Sequence, residues 1–542
     1  MRPLLVILAM VSIAACGDAP EVPRATTHAE LVTLFDDWRA FEAPTLVDGV
    51  PDFSAAAMSA KRDQIPYWKA RLMAVDTTGW SISDRVDYEL IRAEINGFDF
   101  DLRLRKPWER DPSFYVMVYT SQSDVPAREG PVIHTVIESW QYETPLSDDA
   151  AAELATRLRT IAPLYTAAKE NLTGNARDLW VAGVRTIGEQ LGRLDDLTAR
   201  VDHPEVTAAA AEAAVAIRDF QSWLDASSDA KTGPSGLGKE AYTWYLQNVH
   251  LMPYTWEEEV TIMKRELARS HAYMKLFEHR NRDLAPLNKM DDPVTYERVM
   301  NQAVTEYLAF IDEAEIHDVA PWMDVALREK INPYTEEAGL RSFFQEVDYR
   351  EPLLMRSHHN HWIDIARIRE DPHESAIRNT PLLYNIFDGR AEGMATGMEE
   401  MMWAAGLLDG RPHAEELVFV MLGQRAARAL GGLYMHANEM TMQEAAEFAV
   451  EWTPRGWMAP DGWLVAFEQH LYLQQPGYGS SYITGKVVIE DMIREVAHIQ
   501  GDTFTLKGFF NAFNDAGVIP LSLIRWEMTG DDTVYRETLD AW

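Results

Sequence analysis

The sequence predicts a mostly α protein with few short strands, and three observations carry that expectation. Apolar residues recur at three- and four-residue spacing through most of the chain, as in HAELVTLFDDWRAFEA. Long runs such as VTAAAAEAAVAIRDFQSWLDA are built almost wholly of helix formers. Ser and Thr stand where such runs begin, which is where helices need a side-chain oxygen for their free N–H groups. With 542 residues, the chain exceeds one ordinary core, so two or more subdomains are expected.

In chain order, the first segment is not part of the fold. MRPLLVILAMVSIAAC has a short basic start at Arg2, an apolar run from Leu4 to Ile13 and small residues after it. It is too short to span a bilayer. Ile13-Ala14-Ala15-Cys16 resembles the lipobox of bacterial lipoprotein signal peptides, which implies cleavage before Cys16 and lipidation of its thiol; an ordinary secretory leader is the alternative. Residues 1–15 are thus read as a signal peptide and 16–28 as a Pro-, Ala- and Thr-rich tether. Cys16 is the sole cysteine, so the mature protein has no disulfide and no thiolate ligand. No later run is apolar enough to cross a membrane, and the expected attachment is through the lipid alone.

Helix is expected from Ala29, and again over SDRVDYELIRAEINGFDFDLRL with Ser83 as its cap. PSFYVMVYTS, near 112–121, is aromatic and β-branched and reads as a strand or a buried helical turn. Residues 147–225 read as long helices opening at Ser147. SSDAKTGPSGLG, at 227–238, concentrates Ser, Gly and Pro and divides an N-terminal helical subdomain (29–230) from a C-terminal, catalytic-like one (239–542). Beyond it, Thr255 caps a helix. Tyr242 and Tyr245 are cleft-wall candidates that could equally be core. A helix from about 414 is expected to break at Gly431-Gly432, and Gly517 to stop the last long helix.

The chemistry concentrates between Arg350 and Glu400. His358, His359 and His361 fall within four positions, and Glu392 and Glu399 follow seven residues apart. Residues seven apart on a helix share a face, and residues three apart can meet. Imidazoles facing carboxylates are one way helical proteins build a divalent metal site. Packed or solvated histidines and a solvated glutamate face are the plainer alternative. Lys+Arg 50 against Asp+Glu 85 gives a net charge of −35, a field that repels nucleic acid. There is no phosphate-binding loop, no Gly-x-Ser-x-Gly elbow and no dinucleotide fingerprint.

From about residue 30 onward the chain resembles the bacterial domain-of-unknown-function family 885. The matching stretches are QYETPLSDDAAAELATRL, GKEAYTWYL, RAEGMATGMEE with Glu392 and Glu399, RAARALGGLYMH with Arg425, Arg428 and His436, PGYGSSYITGK with Tyr482 and Gly485, and FFNAFNDAGVIPL. The resemblance implies a zincin-like, gluzincin-related helical architecture related to peptidases, with a central cleft lined by residues 350–400 and 425–485. The family's metal motif is His-Glu-x-x-Pro-Gly-His-His. With its double histidine on His358-His359, Pro352 and Leu353 stand in place of the leading His-Glu; allowing two inserted residues matches Arg350-Glu351 instead. The leading histidine is missing either way.

Two functions stay open. One is a periplasmic metal-dependent hydrolase of peptides or small carboxylate-bearing amides. A divalent metal, zinc by the resemblance, would be held by His358, His361 and Glu392. Their tips would then lie within about 3–4 Å of one another, since Zn–N and Zn–O distances are roughly 2.0–2.2 Å. Glu399 would stand behind the ligands or replace the lost general base, and Tyr482 and His436 would serve an oxyanion or a proton. Arg356, Arg425, Arg428 and Tyr478 would draw in the substrate. The other is a retired enzyme fold serving as a binding or scaffold lipoprotein. In both, the partner is a lipid bilayer, with the outer membrane's periplasmic face the expected address.

Overall fold

The computed structural model describes residues 25–336, 342–460 and 462–539. The expected signal peptide, Cys16 and most of the tether lie outside the described residues. Helix dominates, as the periodicity predicts. Among the described residues none of the helices is long and apolar enough to cross a membrane.

The first helix, His28–Glu42, opens on a capping box in which Thr27 and Glu30 satisfy each other's backbone donors, so helix begins at the last residue of the expected tether. Its Trp38 is fully buried and meets Trp68 and Phe98 edge-on, at 5.6 and 5.9 Å between ring centroids. Those rings belong to the helices Ala55–Met73 and Ile82–Phe100, whose cores this aromatic cluster joins. The cap of the latter is Ser81, which accepts from the Asp84 amide, not Ser83. Ser147 and Thr255 cap as expected.

Strand content is minimal. Leu46–Val47 pairs antiparallel with Val50–Pro51, and Val118–Tyr119 pairs parallel with Ile137–Glu138, Val118 opposite Ile137. The 112–121 segment is therefore split: Pro112–Tyr115 is a 3-10 turn, and only Val118–Tyr119 is strand. Asp111 caps that turn by accepting from the Ser113 amide, which favours the turn over extension.

The C-terminal half is assembled around three helices. The glutamate helix is Asp388–Ala404, the arginine helix Ala414–His436 and the tyrosine helix Tyr478–Gln500. The arginine helix is buried along almost its whole length and packs on Trp256–Asn281, where Trp256 Nε1 donates to Leu433 O at 2.8 Å. It does not break at Gly431-Gly432. A Cβ at Gly432 would stand 3.3 Å from the Tyr472 ring, so close packing accounts for glycine there. Gly517, at φ +90°, does follow the end of Leu506–Asp515. The glutamate and tyrosine helices approach backbone to backbone. A Cβ on Gly485 would stand 2.1 Å from Gly389 O, and one on Gly393 would stand 2.5 Å from Gly485 Cα. The loop at 227–238 stitches the halves together: Gly238 N donates to His436 O at 2.8 Å and Gly236 N to Asn438 Oδ1 at 3.0 Å.

Candidate functional site

The glycine contact fixes how far the glutamate helix stands from the tyrosine helix, and so where Glu392 points. Glu392 is 1% exposed. Its Oε1 accepts from Tyr478 Oη at 2.5 Å, and Tyr482 Oη donates to Tyr478 Oη at 3.4 Å. Its Oε2 lies 3.0 Å from His361 Nε2, on the helix Asn360–Glu370. Burial works against charge on both partners, but each is outweighed by the other. His361 is lifted to about 9 and Glu392 lowered to about 2, a buried imidazolium–carboxylate pair.

His358 goes elsewhere. It ends the short helix Pro352–His358, and His359 turns the chain before Asn360 opens the next helix. One ideal helix face therefore does not carry both imidazoles. Their rings meet edge-on at 5.2 Å. His358 stacks on Phe344, and its Nδ1 lies 3.0 Å from Glu399 Oε1 and 3.2 Å from Arg425 Nη2. Burial lowers its pKa. Arg425 grips Glu399 through two 2.7 Å hydrogen bonds, the bidentate fork a guanidinium forms with a carboxylate. His359 is half-buried, and desolvation pushes its pKa well below the ordinary imidazole value.

The remaining predicted residues surround this cluster without joining it. Arg428 pairs with Glu468 and lies near the faces of Tyr472 and Tyr482. Arg356 is fully buried against Asp348 at 2.6 Å. The ring of His436 sits 5.1 Å from that of Tyr242, and its Nε2 pairs with Tyr472 O at 2.8 Å; burial lowers it to about 4. Tyr242 and Tyr245 are core.

The sequence reading missed several participants. Asp388, one turn before Glu392, is held far above the usual carboxylate range by burial and then by the charge on Glu392. Gln475 donates to it, and the Gln475 carbonyl accepts from Gly130 N at 2.8 Å and Asn385 Nδ2 at 2.7 Å. These bonds tie the loop bearing Gly130 to the cluster. The four-residue spacing of Asp388 and Glu392 was visible as a shared face; Gln475 and Gly130 had no local signal.

Among the described residues, no three His, Cys, Asp or Glu side chains gather in a metal-ligating group. Two of the three expected donors, His361 and Glu392, converge; the third engages Glu399 and Arg425.

Comparison with known proteins follows from this geometry. No curated protein matches the chain significantly. A solved structure of a candidate lipoprotein of unknown function from Shewanella oneidensis superposes with a TM-score of 0.67, at 16% identity, over 93% of this chain and 100% of that one. One from Colwellia psychrerythraea, also a candidate lipoprotein, gives 0.62 at 14% identity, over 93% of this chain and 99% of that one. These likenesses establish the fold. The family described as "Bacterial protein of unknown function (DUF885)" matches residues 42–329 and 361–528. The interval between the two matches, 330–360, holds His358 and His359. The chain belongs to the DUF885 family of bacterial proteins.

Proposed function

We propose that the protein is a lipoprotein, anchored through Cys16 to the periplasmic face of the outer membrane, that binds a ligand on a fold whose metal chemistry has been lost. One observation carries this reading: the carboxylate expected to ligate the metal and the one expected to stand behind it are both already neutralised, Glu392 by His361 at 3.0 Å and Glu399 by the Arg425 fork at 2.7 Å. A structural zinc takes four protein donors and a catalytic zinc three plus water; two converging donors beside an engaged guanidinium do not fit such an ion. The leading histidine is missing in either alignment, and the family match lapses over the interval where the motif would stand. The lipoprotein descriptions of the Shewanella and Colwellia proteins support the anchor.

Two measurements test this. Purified protein should contain no stoichiometric zinc and should stay metal-free after incubation with zinc and dialysis. Stoichiometric zinc that is lost in both His361→Ala and Glu392→Ala would restore the metalloenzyme. For the anchor, Cys16→Ser should move the protein from the detergent phase to the aqueous phase on partitioning, and a variant that still partitions with detergent would refute lipidation.

A hydrolase acting on peptides or small amides is the second reading. It is favoured by the opposed shifts of two carboxyls four residues apart, Asp388 raised by burial and Glu392 lowered by His361. Carboxyls whose environments separate them in this way supply an acid and a base. Turnover of a mixed peptide library by wild type, abolished in Asp388→Asn, would favour it.

A further inference from the structure

A cavity of about 250 Å³ lies on the far side of Gln475 from the Glu392 cluster. Its body is aromatic. Phe53 stands edge-on to Phe114 at 4.8 Å and stacked with Trp108 at 6.0 Å, with Phe98 also in the wall. An apolar cavity of roughly 150 Å³ already holds a benzene ring, so this one has room for a ring bearing a short chain.

Its polar end is built on Glu42. Tyr384 Oη donates to Glu42 Oε1 at 3.3 Å, and His134 Nε2 lies 3.4 Å from the same oxygen. The His134 side chain is 34% exposed and marks the way in. The other charges in the wall are answered locally. Asp101 and Arg105 close on each other through two 2.6 Å bonds, and Arg128 pairs with Glu138. Lys61, close enough to feel Glu42, is engaged with the backbone carbonyls of Phe41 and Ala43. Among the described residues, Glu42 is thus the wall's charged group whose only ion partner is a histidine. A half-enclosed carboxylate at the end of an aromatic chamber attracts a cation twice over, by its charge and by the ring faces, and it repels an anion.

We infer that this cavity is a binding site for a small organic cation, an ammonium group carried on an apolar or aromatic body, with the nitrogen at Glu42 and the body among Phe53, Trp108 and Phe114. The inference holds under either reading of the Glu392 cluster, because the two sites share only the boundary formed by Gln475 and the Gly130 and Asn385 groups bonded to it, and neither Glu42 nor the aromatic body takes part in the cluster.

Three probes sharing a phenylethyl body and differing in charge test it by calorimetry on the whole mature protein: phenethylammonium, 2-phenylethanol and 3-phenylpropionate. The ammonium should bind at least tenfold tighter than the alcohol, and the carboxylate weakest. In Glu42→Gln the ammonium should lose at least tenfold while the alcohol is unchanged. In Ile133→Trp, which fills the cavity from its wall, all three should lose binding. Equal affinity for ammonium and alcohol, a preference for the carboxylate, or no heat from the ammonium at millimolar concentration would overturn the inference. The charge preference of the wild type decides the matter even where a variant fails to fold.

Discussion

His361→Ala should destabilise the protein by about 3–5 kcal/mol, the usual penalty for removing one partner of a buried ion pair. The loss is that of Glu392, left charged at 1% exposure with only the Tyr478 hydroxyl to answer it. The effect depends on pH in a defined way. The pKa of His361 rises from 6.5 to about 9 on folding, so its contribution is complete below 6.5 and fades as pH climbs through 9. Glu392 falls from 4.5 to about 2, so its contribution is complete above 4.5 and fades as pH drops through 2. These describe one interaction, counted once, at full strength between pH 4.5 and 6.5. Urea unfolding of wild type and variant across pH should show the widest gap inside that window and a narrowing gap on both sides. The double variant with Glu392→Gln should recover part of the loss, because no charge is then stranded. A gap below about 1 kcal/mol, or one indifferent to pH, would mean the pair does not exist as described.

Gly485→Ala should cost at least about 3 kcal/mol, at the upper end for overpacking, and should sharply lower the yield of soluble protein. The added methyl would fall 2.1 Å from Gly389 O and 2.8 Å from Gly393 Cα. Both are backbone atoms of a packed helix, so neither can swing aside. Gly397→Ala is the matched control on the same glutamate helix. Its nearest neighbour is the end of Met401, 3.2 Å away and flexible, and alanine gains about 0.5–1 kcal/mol of helix preference over glycine. Thermal melts should place Gly397→Ala close to wild type and Gly485→Ala far below it. Melting of both together would remove the glycine contact as the spacer of the site.

What the sequence could disclose followed the range of its signals. Ser147 and Thr255 announce helix starts because a cap acts within three residues. Ser83 misleads because Ser81 stands two positions away with an equally good hydroxyl. Gly431-Gly432 misleads because its meaning is tertiary: the space at Gly431 belongs to Gln469 and Ala445 and that at Gly432 to Tyr472, all from other helices. The pairing of His361 with Glu392 was readable as two chemically matched faces. The choice of His358 for Glu399 was not, since it depends on the turn at His359. The cavity gathers Glu42, His134 and Tyr384 from three distant stretches, and nothing local to any one of them foretells the others.

The enclosure of the arginine helix bears on how the chain reaches its fold. Its 23 residues are buried nearly all round, and its neighbours come from Trp256–Asn281 upstream and from the helices that follow it, as far as Tyr478–Gln500. Contacts of such high sequence separation form late and slowly. Until the last of them closes, a long greasy rod stands uncovered, a liability for association. Progressive removal of the C-terminus is therefore not a graded loss. Once the tyrosine helix is cut, the glutamate helix loses its main packing partner and the arginine helix one of its covers in the same step.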